Sequence, residues 1–185
     1  HRNLSCWRIE DARADFSVAS RLIPDNWAVW YHLALCHFLL KDFKKAEIAY
    51  RRCYELSTTL ELKVAVSDWY WITLQRLGKP EEAQKLLDAM KPAFDNPDFD
   101  PGADLVYYQR LKMYAGIITP EELMDIRDHS ESLVHKLTIS FGLANYLRVQ
   151  GQEQQAEEIF SWMRKAGEEE YYAFAYIAAM MDQKN

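Results

Sequence analysis

Glycine and proline are scarce, at six residues each in a chain of 185. Antiparallel sheets joined by tight turns draw heavily on both. The apolar residues here recur at spacings of three and four rather than two, so strands are not expected. Basic charge is also short: Lys and Arg number 22 against 28 Asp and Glu, for a net charge of −6. That balance argues against a nucleic-acid partner, which is bound by neutralising phosphates, and against an anionic membrane surface. No apolar run reaches the roughly 18 residues of a membrane-spanning helix, because His32, His37, Lys41 and Asp42 interrupt the most apolar stretch. Direct membrane insertion is therefore not expected.

Cysteine is limited to Cys6, Cys36 and Cys53, with no CxxC pair. An odd number without metal-ligand spacing suits a reducing compartment, so a cytoplasmic location is expected. Catalytic patterns are missing too. The histidine pairs His32/His37 and His129/His135 are five and six residues apart, which does not set two rings on one helical face. The HExxH spacing, GxGxxG, a Walker loop and GxSxG are all absent. Paired acids such as Glu81/Glu82, Glu157/Glu158 and Glu168–Glu170 fall in first turns of expected helices, where the helix dipole favours negative charge. The sequence thus predicts no enzyme, no metal and no cofactor.

What is present is a helical repeat about 34 residues long. Trp30, Leu33, Ala34, His37, Phe43, Ala46, Tyr50 and Cys53 set out one full unit. Ala12, Phe16, Ala19 and Pro24 carry its second half one period earlier, and Ala83 and Leu87 echo it later. Leu143, Ala144, Leu147, Gly151, Ala156 and Phe160 echo it again. Cys36 and Cys53 stand where the repeat takes small residues, so they read as small buried hydrophobes. The expected units cover 1–24 (truncated), 27–57, 61–91, 102–134 (degenerate) and 137–166, with a capping helix over 169–182, in a single domain spanning 1–185. Asp42 is placed to cap a helix, Pro80 to open one, and Thr119-Pro120-Glu121-Glu122 to form a capping box. A polar linker is expected over 92–102. The chain opens at His1, inside a helix by the register of the repeat, so a fragment of a larger protein is expected.

These residues resemble the tetratricopeptide repeat family. The resemblance implies an all-α superhelix of about five helix pairs that acts as a protein-binding scaffold. The element order, with Gly116-Ile117-Ile118-Thr119, Glu122-Leu123-Met124 and Tyr146–Gly151, also resembles the NlpI-like bacterial lipoproteins. That likeness implies an envelope location if a lipoprotein signal precedes His1. In such a stack the first helix of each pair lines a concave groove. In register the groove positions are Tyr31, Leu35, Phe38 and Leu39, then Asp68, Ile72, Gln75 and Arg76. They continue with Arg110, Met113 and Tyr114, and end with Phe141, Asn145 and Arg148. The expected partner is a protein or peptide segment with apolar anchors and acidic character, oriented by Arg76, Arg110 and Arg148. The rival readings are a recruiting region of an enzyme whose catalytic domain lies elsewhere, and a homodimer burying the same surface.

Overall fold

The computed structural model describes residues 1–183, and every regular element among them is helical. Two compact units make up the chain, with the boundary between Asp104 and Leu105. The first holds α1 (Arg2–Ser5), α2 (Ile9–Leu22), α3 (Trp27–Leu39), α4 (Phe43–Leu56), α5 (Leu60–Arg76) and α6 (Pro80–Phe94), closed by a 3-10 turn at Gly102–Asp104. The second holds α7 (Leu105–Tyr114), α8 (Pro120–His129), α9 (Leu133–Val149), α10 (Glu153–Ala166), a 3-10 turn at Gly167–Glu170 and α11 (Phe174–Gln183).

Local signals set the helix starts. Asn26, Asp42 and Thr59 side chains accept the backbone N–H of Val29, Lys45 and Leu62 at 3.1, 3.3 and 3.4 Å. Each occupies an otherwise orphaned donor of a first turn. The capping box forms as expected: Glu122 N–H donates to Thr119 Oγ1 at 3.1 Å, and Thr119 N–H to Glu122 Oε2 at 2.7 Å. Gly78 and Gly151 turn the chain between paired helices at φ of +67° and +75°, a region that costs other residues strain.

Two expected boundaries move. The linker expected from residue 92 begins later, since α6 runs through Pro92 to Phe94. Pro92 sits in the last turn, where the ring removes one donor and little helix remains to be broken. The capping helix expected from 169 starts at Phe174 instead. A 3-10 turn at Gly167–Glu170 comes first, and Gly167 lies against the Tyr176 ring of α11 with no room for a Cβ.

Burial sorts the helices into two kinds. α4 buries one stripe, Ala46, Ala49, Tyr50 and Cys53, and α10 buries Ala156, Ile159, Phe160 and Met163. Those are the i, i+3, i+4, i+7 positions of a helix with one wet side. α3, α5 and α9 differ. Val64 through Leu74 are buried without a break in α5, as are Leu137 through Asn145 in α9. A helix enclosed on every side is a core helix, not a groove lining.

In the first unit a polar network ties the second helices to the first. The largely buried carboxylate of Glu47 accepts from Lys79 Nζ at 2.7 and 2.8 Å and from Arg51 at 3.2 Å. Arg51 also lies close enough to Tyr70 for its charge to act on the hydroxyl, and Tyr70 stacks on Tyr50 with ring centroids 6.1 Å apart. Sequence positions on α4, α5 and the start of α6 are thereby held in one register.

Candidate protein-binding surfaces

The residues read from the sequence as a concave lining are mostly interior. In the first unit Leu35, Leu39, Asp68 and Ile72 are essentially inaccessible, and Tyr31 and Phe38 are 7% and 6% exposed. Phe38 meets Trp69 and Phe43 edge-on, with centroids 5.2 and 5.4 Å away. Tyr31 stacks on Trp27 at 5.0 Å. Gln75 and Arg76 are half-buried, and the Arg76 guanidinium lies 6.0 Å over the Phe43 ring. In the second unit Arg110, Met113, Tyr114, Phe141 and Asn145 are all buried. The expectation of a solvent-open apolar floor is therefore corrected. α3, α5 and α9 are enclosed on all sides, so these side chains serve the core.

Two of the three arginines expected to orient an acidic partner, Arg110 and Arg148, are engaged by their own chain. Arg110 is completely buried. Its Nε donates to the Tyr114 hydroxyl at 3.2 Å and a terminal nitrogen to the Thr138 carbonyl at 3.1 Å. Its guanidinium faces the Tyr107 and Phe141 rings at 5.5 and 5.8 Å. The place it occupies exists because residue 142 is glycine: a Cβ there would collide with Arg110 Nε and Cδ. Arg148 reaches Asp182 on α11, Glu153 at 3.4 Å and Glu157 at 3.9 Å, and lies 4.3 Å over the Phe160 ring. It clamps α9, α10 and α11 together and has carboxylates of its own chain around it. Asn145 donates to the Phe141 carbonyl at 2.8 Å, a bond within α9.

The groups that could carry chemistry are dispersed or sealed. Cys36 and Cys53 are buried, and desolvation pushes the Cys36 thiol up to about 12 and Cys53 higher still. Such thiols are inert. Burial also lowers His32 and His37 below the ordinary imidazole value. Among the described residues no group of His, Cys, Asp and Glu is arranged to hold a metal ion, and no helix is long and apolar enough to cross a membrane.

What lies open is a groove in the second unit, missed at the sequence level. α8 and α10 both pack on α9, and between them is a space of about 480 Å³. Its base is closed by the buried Leu143 and Leu147 of α9 and Ile159 of α10. Met124 of α8 and Trp162 of α10, each 36% exposed, flank it. The only available sequence signal was the outward placement of Met124 and Trp162, off the stripes that face α9.

Residues 8–59 match the tetratricopeptide repeat family. This stretch contains α2, from the truncated first unit, and α3 and α4, the full unit over 27–57. No curated protein matches the chain, and no solved structure matches it. Repeats of this family mediate protein–protein interaction, and the all-helical paired architecture agrees with the match.

Proposed function

We propose that this chain is a non-catalytic scaffold that binds a peptide or helix of a partner protein. The observation that carries the reading is the tetratricopeptide match over α2–α4 within a chain whose described regular elements are all helical. A preformed stack of helices holds a docking face rigid, so the ordering cost of binding falls on the incoming segment. With Leu35 and Phe38 interior, the reading puts the partner on outward-facing side chains rather than on the enclosed first helices. The proposed location is the cytoplasm, in keeping with three unpaired cysteines.

Crosslinking mass spectrometry of the chain in its native cell tests this. Reproducible crosslinks from surface lysines such as Lys85, Lys136 and Lys165 to one defined polypeptide are expected. Crosslinks confined to the chain itself would overturn the scaffold reading.

A further inference from the structure

The groove between α8 and α10 has the dimensions and charge of a docking site for a particular kind of segment. Its walls are helical stripes: Glu121, Met124 and Arg127 on one side, Gln155, Glu158 and Trp162 on the other. Each stripe runs over seven or eight residues, which is about two helical turns or 10 Å. The exposed side chains of Met124 and Trp162 on the two flanks offer the apolar anchorage, above a base of Leu143, Leu147 and Ile159 that is itself buried.

The electrostatics of the rim are one-sided. The Arg127 guanidinium lies 5.4 Å over the Trp162 ring and is paired with Asp128 at 2.7 Å, so its charge is already compensated. Glu121 is exposed and has no ion-pair partner among the described residues. Glu158 is exposed as well, and receives only a 3.4 Å bond from the neutral Gln154 amide. At the α10 start the groove continues into a polar hollow of about 500 Å³, lined by Glu158 and by Glu153, the latter already paired with Arg148. An apolar trough with an uncompensated acidic rim complements a segment that is apolar on one side and cationic beside it.

The walls also select the backbone conformation. They are side chains of helices whose own peptide groups are bonded along the helix, so they offer no free N–H or C=O to pair an extended strand. A helical guest brings its backbone bonds with it. A second copy of this chain is disfavoured by its net charge of −6 and by the same acidic rim.

We infer that the α8/α10 groove docks an amphipathic helix of another protein, with apolar residues at i, i+3/i+4 and i+7 flanked by Lys or Arg. The inference rests on the scaffold reading and names its site and the chemistry of its guest. The test uses two synthetic amphipathic peptides about four turns long, identical in apolar stripe, one Lys-flanked and one Glu-flanked. Both are titrated against the whole chain by fluorescence anisotropy. The Lys-flanked peptide is expected to bind, to weaken about tenfold or more with Met124→Glu/Trp162→Glu, and to lose its advantage with Glu121→Lys/Glu158→Lys. Both positions of each variant are solvent-exposed, and circular dichroism confirms the fold. Equal binding of both peptides, binding untouched by Met124→Glu/Trp162→Glu, or no binding by either peptide would overturn it. A dimer that this pair of substitutions dissolves would overturn it in favour of a second copy. Crosslinks to a partner protein that avoid α8 and α10 would sink this inference while leaving the scaffold reading standing.

Discussion

Substituting Gly142 by alanine should destabilise the second unit, against the usual gain of replacing a helical glycine. Gly142 lies in the middle of α9, four residues after Thr138, whose carbonyl Arg110 bonds. The new methyl would overlap Arg110 Nε and Cδ and approach the Tyr114 hydroxyl to 2.7 Å. Overfilling a packed interior costs about 1–3 kcal/mol. Displacing the guanidinium from the Thr138 carbonyl forfeits a charged hydrogen bond, about 1.5–3 kcal/mol. Alanine returns about 1 kcal/mol of helix propensity, so the net loss is about 1.5–5 kcal/mol. The decisive measurement is a double-mutant cycle with Arg110→Met, followed by urea unfolding and by hydrogen exchange of α7 and α9 amides. Methionine is unbranched and flexible and leaves slack at the site. In that background Gly142→Ala should cost less than about 1 kcal/mol and can stabilise through its propensity. An equal cost in both backgrounds would refute the steric argument.

Other consequences follow from burial. Leu35→Glu/Phe38→Glu should cost more than about 3 kcal/mol and lower the melting temperature, because it puts charge at sites 0% and 6% exposed; an unchanged melt would show the α3 surface to be open. Ellman's reagent should modify only Cys6 promptly in the native chain, since Cys6 is exposed while Cys36 and Cys53 are enclosed, with all three reacting in guanidinium; three fast thiols would contradict the packing of α3 and α4. Acidification should destabilise the protein through His37, whose pKa burial lowers beside Asp42, Arg13 and Lys45. Its folded value is below the unfolded 6.5, so the unfolded chain takes up the proton first. The contribution is intact above 6.5 and is lost as pH falls from there through the folded value. His37→Gln should flatten the pH dependence of the melting temperature in that window, and an unchanged slope would count against it.

The repeat and its helix boundaries were legible because they are written locally. Asp42, Thr119 and Glu122 cap within three residues of themselves, and Ala46, Tyr50 and Cys53 mark one face by spacing alone. What the sequence hid was non-local. Nothing near Arg110 announces that its charge is to be enclosed, because the groups that accommodate it, Thr138, Phe141 and Gly142, lie about thirty positions later. Arg148 is answered by Asp182, 34 residues on. An arginine at a register position therefore reads the same whether it meets a partner protein or its own chain.

The enclosure of the first helices did leave a trace in composition. The stretch from Trp27 to Leu39 is apolar on every face, with only His32 and His37 among its polar residues. A helix lining a wet groove keeps a polar side, whereas one apolar all round is destined for the interior. The contrast with α10 is instructive: Glu157, Glu158 and Lys165 keep its outer side wet, while Trp162 stays on that side at 36% exposure. A large aromatic exposed on an otherwise charged face, next to the half-exposed Met124, is costly to leave in water and is better placed to gain from being covered. Replacing Trp162 by glutamate should thus leave stability within about 1 kcal/mol, while Leu143→Glu at the completely buried floor unfolds the unit. If Trp162→Glu instead proved as disruptive as Leu143→Glu, Trp162 would belong to the core, and the outward face of α10 would have nothing apolar to offer a guest.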